Sequence, residues 1–239
     1  MDAFLVMLAL CMAASIAICG IPFGLIVSQR MAGVDVREVG SGNIGMTNVA
    51  RTVGGSAAAI TFGLDVGKGV LSMALTRLLL GLVLPSNMAL DHASTGFAAL
   101  TVVYACCVAG HVFSPYLGFH GGKGISVGFG AALALWWPIG LCLLVVFMAL
   151  ALPTRYVSAG SIAAAVSLPI QCLLLWHVTP WATVPLAAVA AVVVWAHRSN
   201  IVKLMHGRES RFSVKGAEGL RDRLKEKMAA SRADEHTKE

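Results

Sequence analysis

Charge is what this sequence has least of. Only 13% of its residues are Asp, Glu, Lys or Arg, about half the usual share of a soluble domain. Before the C-terminal tail the acids are Asp2, Asp35, Glu38, Asp65 and Asp91. They form no carboxylate pair at a spacing suited to general acid–base work, and the loops hold no acidic cluster for a hard divalent cation. No Cys-x-x-Cys pair occurs. Cys11, Cys19, Cys106, Cys107, Cys142 and Cys172 all sit in apolar runs, which makes them small buried hydrophobes rather than disulfides or zinc ligands. Gly-x-Ser-x-Gly and His-Glu-x-x-His are missing too, which removes the nucleophile elbow and the zincin helix. The N-terminus, Met1-Asp2-Ala3-Phe4, lacks the positive region of a signal peptide, and its apolar run reaches about Val27. That is too long for a cleaved segment and reads as a retained first helix.

What is abundant is apolar: 57% of the 239 residues are hydrophobic and the mean hydropathy is +0.79. A soluble chain of this composition has too few polar groups to cover its surface, a need that a bilayer removes. Six apolar stretches run over about 3–28, 56–84, 94–112, 125–152, 159–177 and 181–197. A span takes roughly 20 residues. The fourth stretch carries Trp136-Trp137-Pro138 near its middle, where proline removes a backbone donor and tryptophan favours an interface. Basic residues choose between one kinked helix and a hairpin. Arg30, Arg37 and Arg51 belong to the first loop, Lys123 and Arg155 flank the fourth stretch, and 11 of the 18 Lys and Arg lie from Arg198 onward. A hairpin over 125–152 puts all of these on one side, as cytoplasmic loops require, and leaves only Lys68 and Arg77 inside a span. The expected fold is therefore all-α and polytopic, with about seven transmembrane helices, the N-terminus outside and the C-terminus cytoplasmic. Residues 1–197 form the transmembrane domain and 198–239 a basic tail, in which Gly219–Ser231 reads either as a solvated segment or as a basic helix on anionic lipid.

Polar chemistry gathers in four short regions. The first is Gly40-Ser41-Gly42-Asn43-Ile44-Gly45-Met46-Thr47-Asn48-Val49-Ala50-Arg51. Its glycines allow close backbone approach, its hydroxyls and amides add neutral hydrogen bonds, and Arg51 adds a planar fork suited to phosphate. The second runs from Gly110-His111 to Gly121-Gly122-Lys123-Gly124 at the start of an apolar helix. Backbone donors, a point charge and the positive helix end make a phosphate cradle. It is no nucleotide P-loop: Gly124 stands where Ser or Thr is needed, and Leu117 where the first glycine belongs. The third is Thr154-Arg155-Tyr156-Val157-Ser158, and the fourth is His197-Arg198-Ser199-Asn200-Ile201 with Gly207-Arg208-Glu209 beyond. Asp65 and Lys68, three residues apart on one helical face, read either as an internal ion pair lining the site or as a snorkelling pair.

Taken together, the order and spacing of these regions resemble the bacterial acyl-phosphate:glycerol-3-phosphate acyltransferases, the PlsY family, over about residues 17–209. The likeness rests on Ser41-Gly42-Asn43-x-Gly45-x-Thr47-Asn48-x-x-Arg51, Gly110-His111-x-Phe113, Gly121-Gly122-Lys123-Gly124, Arg155-Tyr156-Val157-Ser158, His197-Arg198-x-Asn200-Ile201 and Gly207-x-Glu209, with Asp65-x-x-Lys68-Gly69 fitting as well. It departs at Cys19-Gly20, where the family usually shows Gly-Ser, at His120 for a common Lys, and at Ser126-Val127 for a frequent Ala-Thr. The absence of any His-x4-Asp, the dyad of many CoA-dependent acyltransferases, agrees with it.

The resemblance implies acyl transfer from acyl phosphate to the 1-hydroxyl of glycerol 3-phosphate at the cytoplasmic face of a bacterial inner membrane. No cofactor, metal or nucleic-acid partner is expected; membrane lipids are, and the oligomeric state is left open. Ser41, Arg51, Lys123, His197 and Asn200 are the expected catalytic set. Gly42, Asn43, Thr47, Asn48, His111, Gly121, Gly122, Gly124, Ser158 and Arg198 are expected to bind substrate phosphates, and Asp65, Lys68 and Glu209 to support them. The hydroxyl proton has two candidate acceptors, a substrate phosphate oxygen and His111, whose other reading is an orienting hydrogen bond in the second loop. A transporter of a phosphorylated anion is the rival class, but it calls for basic groups near the midplane and repeated halves, and no repeat is visible. Arg51→Lys keeps the charge and loses the fork. It is expected to lose about 1.5–3 kcal/mol of transition-state binding, read as kcat/KM of the purified variant; kinetics near wild type would reduce Arg51 to an interface anchor.

Overall fold

The computed structural model describes residues 2–92, 94 and 96–212. The anticipated helix over Gly219–Ser231 lies outside the described residues. Among the described residues every regular element is helical: α1 (Asp2–Gly20), α2 (Phe23–Ala32), α3 (Met46–Thr52), α4 (Gly55–Leu82), α5 (Phe97–Val112), a 3-10 turn (Pro115–Leu117), α6 (Ile125–Leu135), α7 (Trp137–Thr154), α8 (Val157–Leu174), α9 (Pro180–Ala196) and α10 (Arg198–Met205). Two compact units are present. The larger comprises Met1–Pro22 and Gly63–Arg211, and the smaller is built on Phe23–Phe62.

In the larger unit α5 is central. It packs against α1, α6 and α9, and the chain closes through α6 on α7, α7 on α8 and α8 on α9. Leu100, Val103, Leu135, Ile139, Leu168 and Leu186 fill the interior. Close helix approach relies on missing side chains: a Cβ on Gly69 of α4 would stand 2.4 Å from the Val127 carbonyl oxygen of α6, and one on Gly130 would stand 2.1 Å from that of Val66. Small residues at crossings are the packing solution of membrane helices. Facing outward are Val145, Leu152, Leu174 and Val184, the surface that lipid requires. Among the described residues five helical segments are long and apolar enough to cross a bilayer, namely Asp2–Ala32, Gly55–Leu82, Phe97–Leu117, Trp137–Thr154 and Val157–Leu174; α9 with α10, bent by 59°, makes a sixth.

The stretch 125–152 is two helices, as the basic residues demanded. Trp136 adopts an extended backbone (φ −166°, ψ 114°) between them, and Pro138 sits in the first turn of α7, where its missing N–H is of no consequence. The arms fold back on each other, Gly140 lying against Leu133. They have 11 and 18 residues. Three connections meet at this end: the His92 ring stacks on Trp136 at 3.8 Å, and Trp136 meets Trp176 edge-on at 4.6 Å. Arg77, one of two basic groups that the hairpin reading left inside a span, donates to the Leu135 carbonyl at 3.0 Å and so caps the negative end of α6.

Other expectations change. The first apolar stretch is interrupted at Ile21-Pro22, because proline lacks a donor and disfavours helix at the residue before it. Residues 198–211 belong to the larger unit with the apolar helices. A cysteine at Pro138, in a background without native cysteines, is expected to react with an impermeant maleimide added to intact spheroplasts, and cysteines at Gly118 and Thr154 are not. Labelling of either of those two from outside would overturn the topology.

Candidate active site

In the smaller unit Asn48 organises the first polar loop. It is buried. Its Oδ1 accepts the Ser41 N–H at 2.9 Å, and its Nδ2 lies 2.9, 3.0 and 2.9 Å from the carbonyl oxygens of Val36, Val39 and Asn43. Gly40 has φ +64°, and a Cβ there would meet Asn48 Oδ1 at 2.2 Å. The Asn43 side chain accepts the Gly45 N–H at 2.9 Å, a local turn of the kind Asx residues make. Asn48 and Asn43 therefore shape this loop, where the sequence suggested that they bind phosphate. Ser41 and Gly42 are exposed, Thr47 is half-buried, and Arg51 lies in the last turn of α3. Arg37 is held by Asp35 through a bond of 2.6 Å, and this guanidinium keeps the Asp35 carboxyl below its ordinary range.

In the larger unit three of the polar regions converge. Lys123 Nζ donates to Asn200 Oδ1 at 2.5 Å, Asn200 Nδ2 donates to Glu209 Oε1 at 2.9 Å, and Ser158 Oγ donates to the same Oε1 at 2.9 Å. An ammonium only donates and a carboxylate only accepts, so the Asn200 amide has one orientation here. Glu209, expected as a supporting residue, thus accepts from both Asn200 and Ser158, and Ser158, expected on phosphate, points its proton at Glu209. His197 is buried, and its Nδ1 lies 2.8 Å from the Val193 carbonyl oxygen. A carbonyl cannot donate, so Nδ1 carries the proton and Nε2 is left as the acceptor. Arg198 is exposed, lies over the Trp195 ring at 4.3 Å and donates to the Trp195 carbonyl. That arrangement suits an interface anchor.

The glycine turn differs from the cradle read in the sequence. Gly121 donates to the Val112 carbonyl at 2.9 Å and Gly122 to that of His111 at 3.1 Å, so both N–H groups hold the turn against the end of α5. Gly124, with φ +81°, precedes α6, whose first N–H groups an α-helix leaves unpaired. Asp65 and Lys68 form a buried pair at 2.7 Å, each side chain 2% exposed, which excludes snorkelling. His111 joins them: Lys68 Nζ lies 3.0 Å from its Nδ1. Ser114, which sequence reading passed over, is buried and donates to the Gly20 carbonyl at 2.7 Å; a serine just past a helix end is the only hint of it.

A polytopic helical membrane protein with cationic and amide groups at one end of its bundle is thus defined. The profile of the glycerol-3-phosphate acyltransferase family matches residues 9–207. A glycerol-3-phosphate acyltransferase of Gluconobacter oxydans is 38% identical over 216 residues, 90% of this chain and 97% of that protein. Two crystal structures of PlsY (YgiH), an integral membrane glycerol 3-phosphate acyltransferase, superpose on the fold. Its glycerol 3-phosphate form gives a TM-score of 0.75 at 29% identity, covering 86% of this chain and 96% of that one. Its lysophosphatidic acid form gives 0.73 at 28%, covering 88% and 97%. The chain belongs to the glycerol-3-phosphate acyltransferase family.

Asn48→Asp tests the organiser. It keeps the size and Oδ1 but removes the donor to three carbonyls. Losing even one buried partner costs about 1–3 kcal/mol, so the variant is expected to melt several degrees lower in detergent and to lose most of its activity. Unchanged melting would mean that the loop does not depend on the Asn48 amide.

Proposed function

We propose that this protein transfers an acyl group from acyl phosphate to the 1-hydroxyl of glycerol 3-phosphate, releasing 1-acyl-glycerol 3-phosphate and phosphate. The observation that carries this reading is the Lys123–Asn200–Glu209–Ser158 chain of hydrogen bonds, which holds an ammonium beside the N-terminus of α6. An ammonium and a positive helix end are suited to a phosphate, in the ground state and more so as it departs with added charge. The hydroxyl oxygen attacks the acyl carbonyl carbon, the bond from that carbon to the phosphate oxygen breaks, and the hydroxyl proton passes to a phosphate oxygen. Phosphate is a good leaving group, so alignment of the two substrates supplies much of the acceleration. His197 presents Nε2 as an acceptor for a glycerol hydroxyl. Ser41 and Arg51 are assigned to phosphate through a hydroxyl and a planar fork.

The proposed placement follows the charges: a bacterial inner membrane, seven spans counting α6 and α9, the C-terminus and the chemistry on the cytoplasmic side. Family membership and the relatives' names support glycerol 3-phosphate as acceptor. Acyl phosphate as donor rests on the phosphate-type groups and on the lack of a CoA-type dyad. Purified protein in detergent is expected to release phosphate and form lysophosphatidic acid from acyl phosphate and glycerol 3-phosphate, with excess EDTA present. Comparable turnover with acyl-CoA or acyl carrier protein would refute the donor, and activity lost to EDTA and restored by Mg²⁺ would refute the metal-free site.

A further inference from the structure

Asp65, Lys68 and His111 form a deeply buried cluster of ionisable side chains in the larger unit. Charges in a membrane interior are costly and are retained where they serve a function. Lys68 Nζ, with three protons to donate, has among its partners Asp65 Oδ1 at 2.7 Å, the Ile21 carbonyl at 2.7 Å and His111 Nδ1 at 3.0 Å. Because an ammonium cannot accept, His111 Nδ1 must, and the imidazole proton lies on Nε2. That nitrogen faces the glycine turn: a Cβ on Gly122 would stand 2.2 Å from it. The turn is tied to the same stretch of α5 by the Gly121 and Gly122 N–H groups. The next residue is Lys123, which reaches Asn200.

We infer that Asp65, Lys68 and His111 are positioning residues for the transfer reaction: they lock the imidazole in one tautomer and orientation, the imidazole sets the height of the Gly121–Gly124 turn, and the turn aims Lys123. This rests on Lys123 acting in the site. Gly122 is part of the same device, since any side chain there would displace the ring. A buried ion pair is weak evidence for stability alone, because well-packed apolar residues often replace such a pair without loss. What they cannot supply is a donor that fixes the tautomer of the ring.

A double-mutant cycle separates positioning from packing. Asp65→Leu with Lys68→Met removes both charges together and leaves neither orphaned. With melting in detergent monitored in parallel, this variant is expected to lose about tenfold or more in kcat for phosphate release while KM for glycerol 3-phosphate changes about twofold or less. In a Lys123→Ala background the same pair is expected to lower kcat no further, since groups that act as a unit are not additive. If the pair variant fails to accumulate, His111→Asn takes its place in the cycle: it keeps an amide near Nδ1 and removes the Nε2–H above Gly122. Losses that multiply in the Lys123→Ala background would overturn the positioning role and leave the assignment of Lys123 intact. So would a kcat unchanged in the pair variant or, where that does not accumulate, in His111→Asn. Wild-type activity of Lys123→Ala would overturn that assignment and the positioning role with it.

Discussion

A backbone carbonyl in hydrocarbon has no water to turn to, and the break at Pro22 leaves carbonyls without helical partners at the end of α1; two of them find side-chain donors. Lys68 answers one of them, at Ile21, and Ser114 the other, at Gly20. Once an ammonium is committed to that place it needs a counter-charge within its own helix, which Asp65 provides three residues earlier, and a third partner for its remaining proton, which His111 provides from α5. The break in α1, the ion pair in α4 and the histidine near the end of α5 are thus one solution to one problem. Arg77 repeats the principle at the opposite end of α6, where it meets the Leu135 carbonyl.

The shortness of α6 follows from the same economy of polar groups. Eleven residues rise about 16 Å and the eighteen of α7 about 27 Å, and the two arms share the turn at Trp136. The N-terminus of α6 therefore stops about 10 Å short of the level where α7 ends. Lys123 is half-buried there, and a charge interaction is stronger where water is partly excluded.

Glycine, amide and carboxylate share the work of holding these charges in place. Asn48 binds a loop to itself through four contacts, and Glu209 orients Asn200, which in turn holds Lys123. Residues legible as a phosphate site in the sequence thus divide into those that present groups and those that position them. Periodicity cannot make that division. Asn43, Asn48 and Ser158 have the chemistry of ligands, and only the distances show that their hydrogen bonds close on the protein itself.

The sequence by itself determined the class of fold, the hairpin at Trp136 and the four polar regions. Each follows from local or additive properties: hydropathy summed over a span, the missing donor of a proline, the sidedness of basic residues. Tertiary structure decided the pairings. That Lys68 turns inward, that His111 joins it, that Ser158 and Asn200 converge on Glu209 and that the Gly121 and Gly122 N–H groups bind α5 depend on contacts between residues up to 51 positions apart. Such pairings arise because buried polar groups must find partners wherever the packed helices bring them.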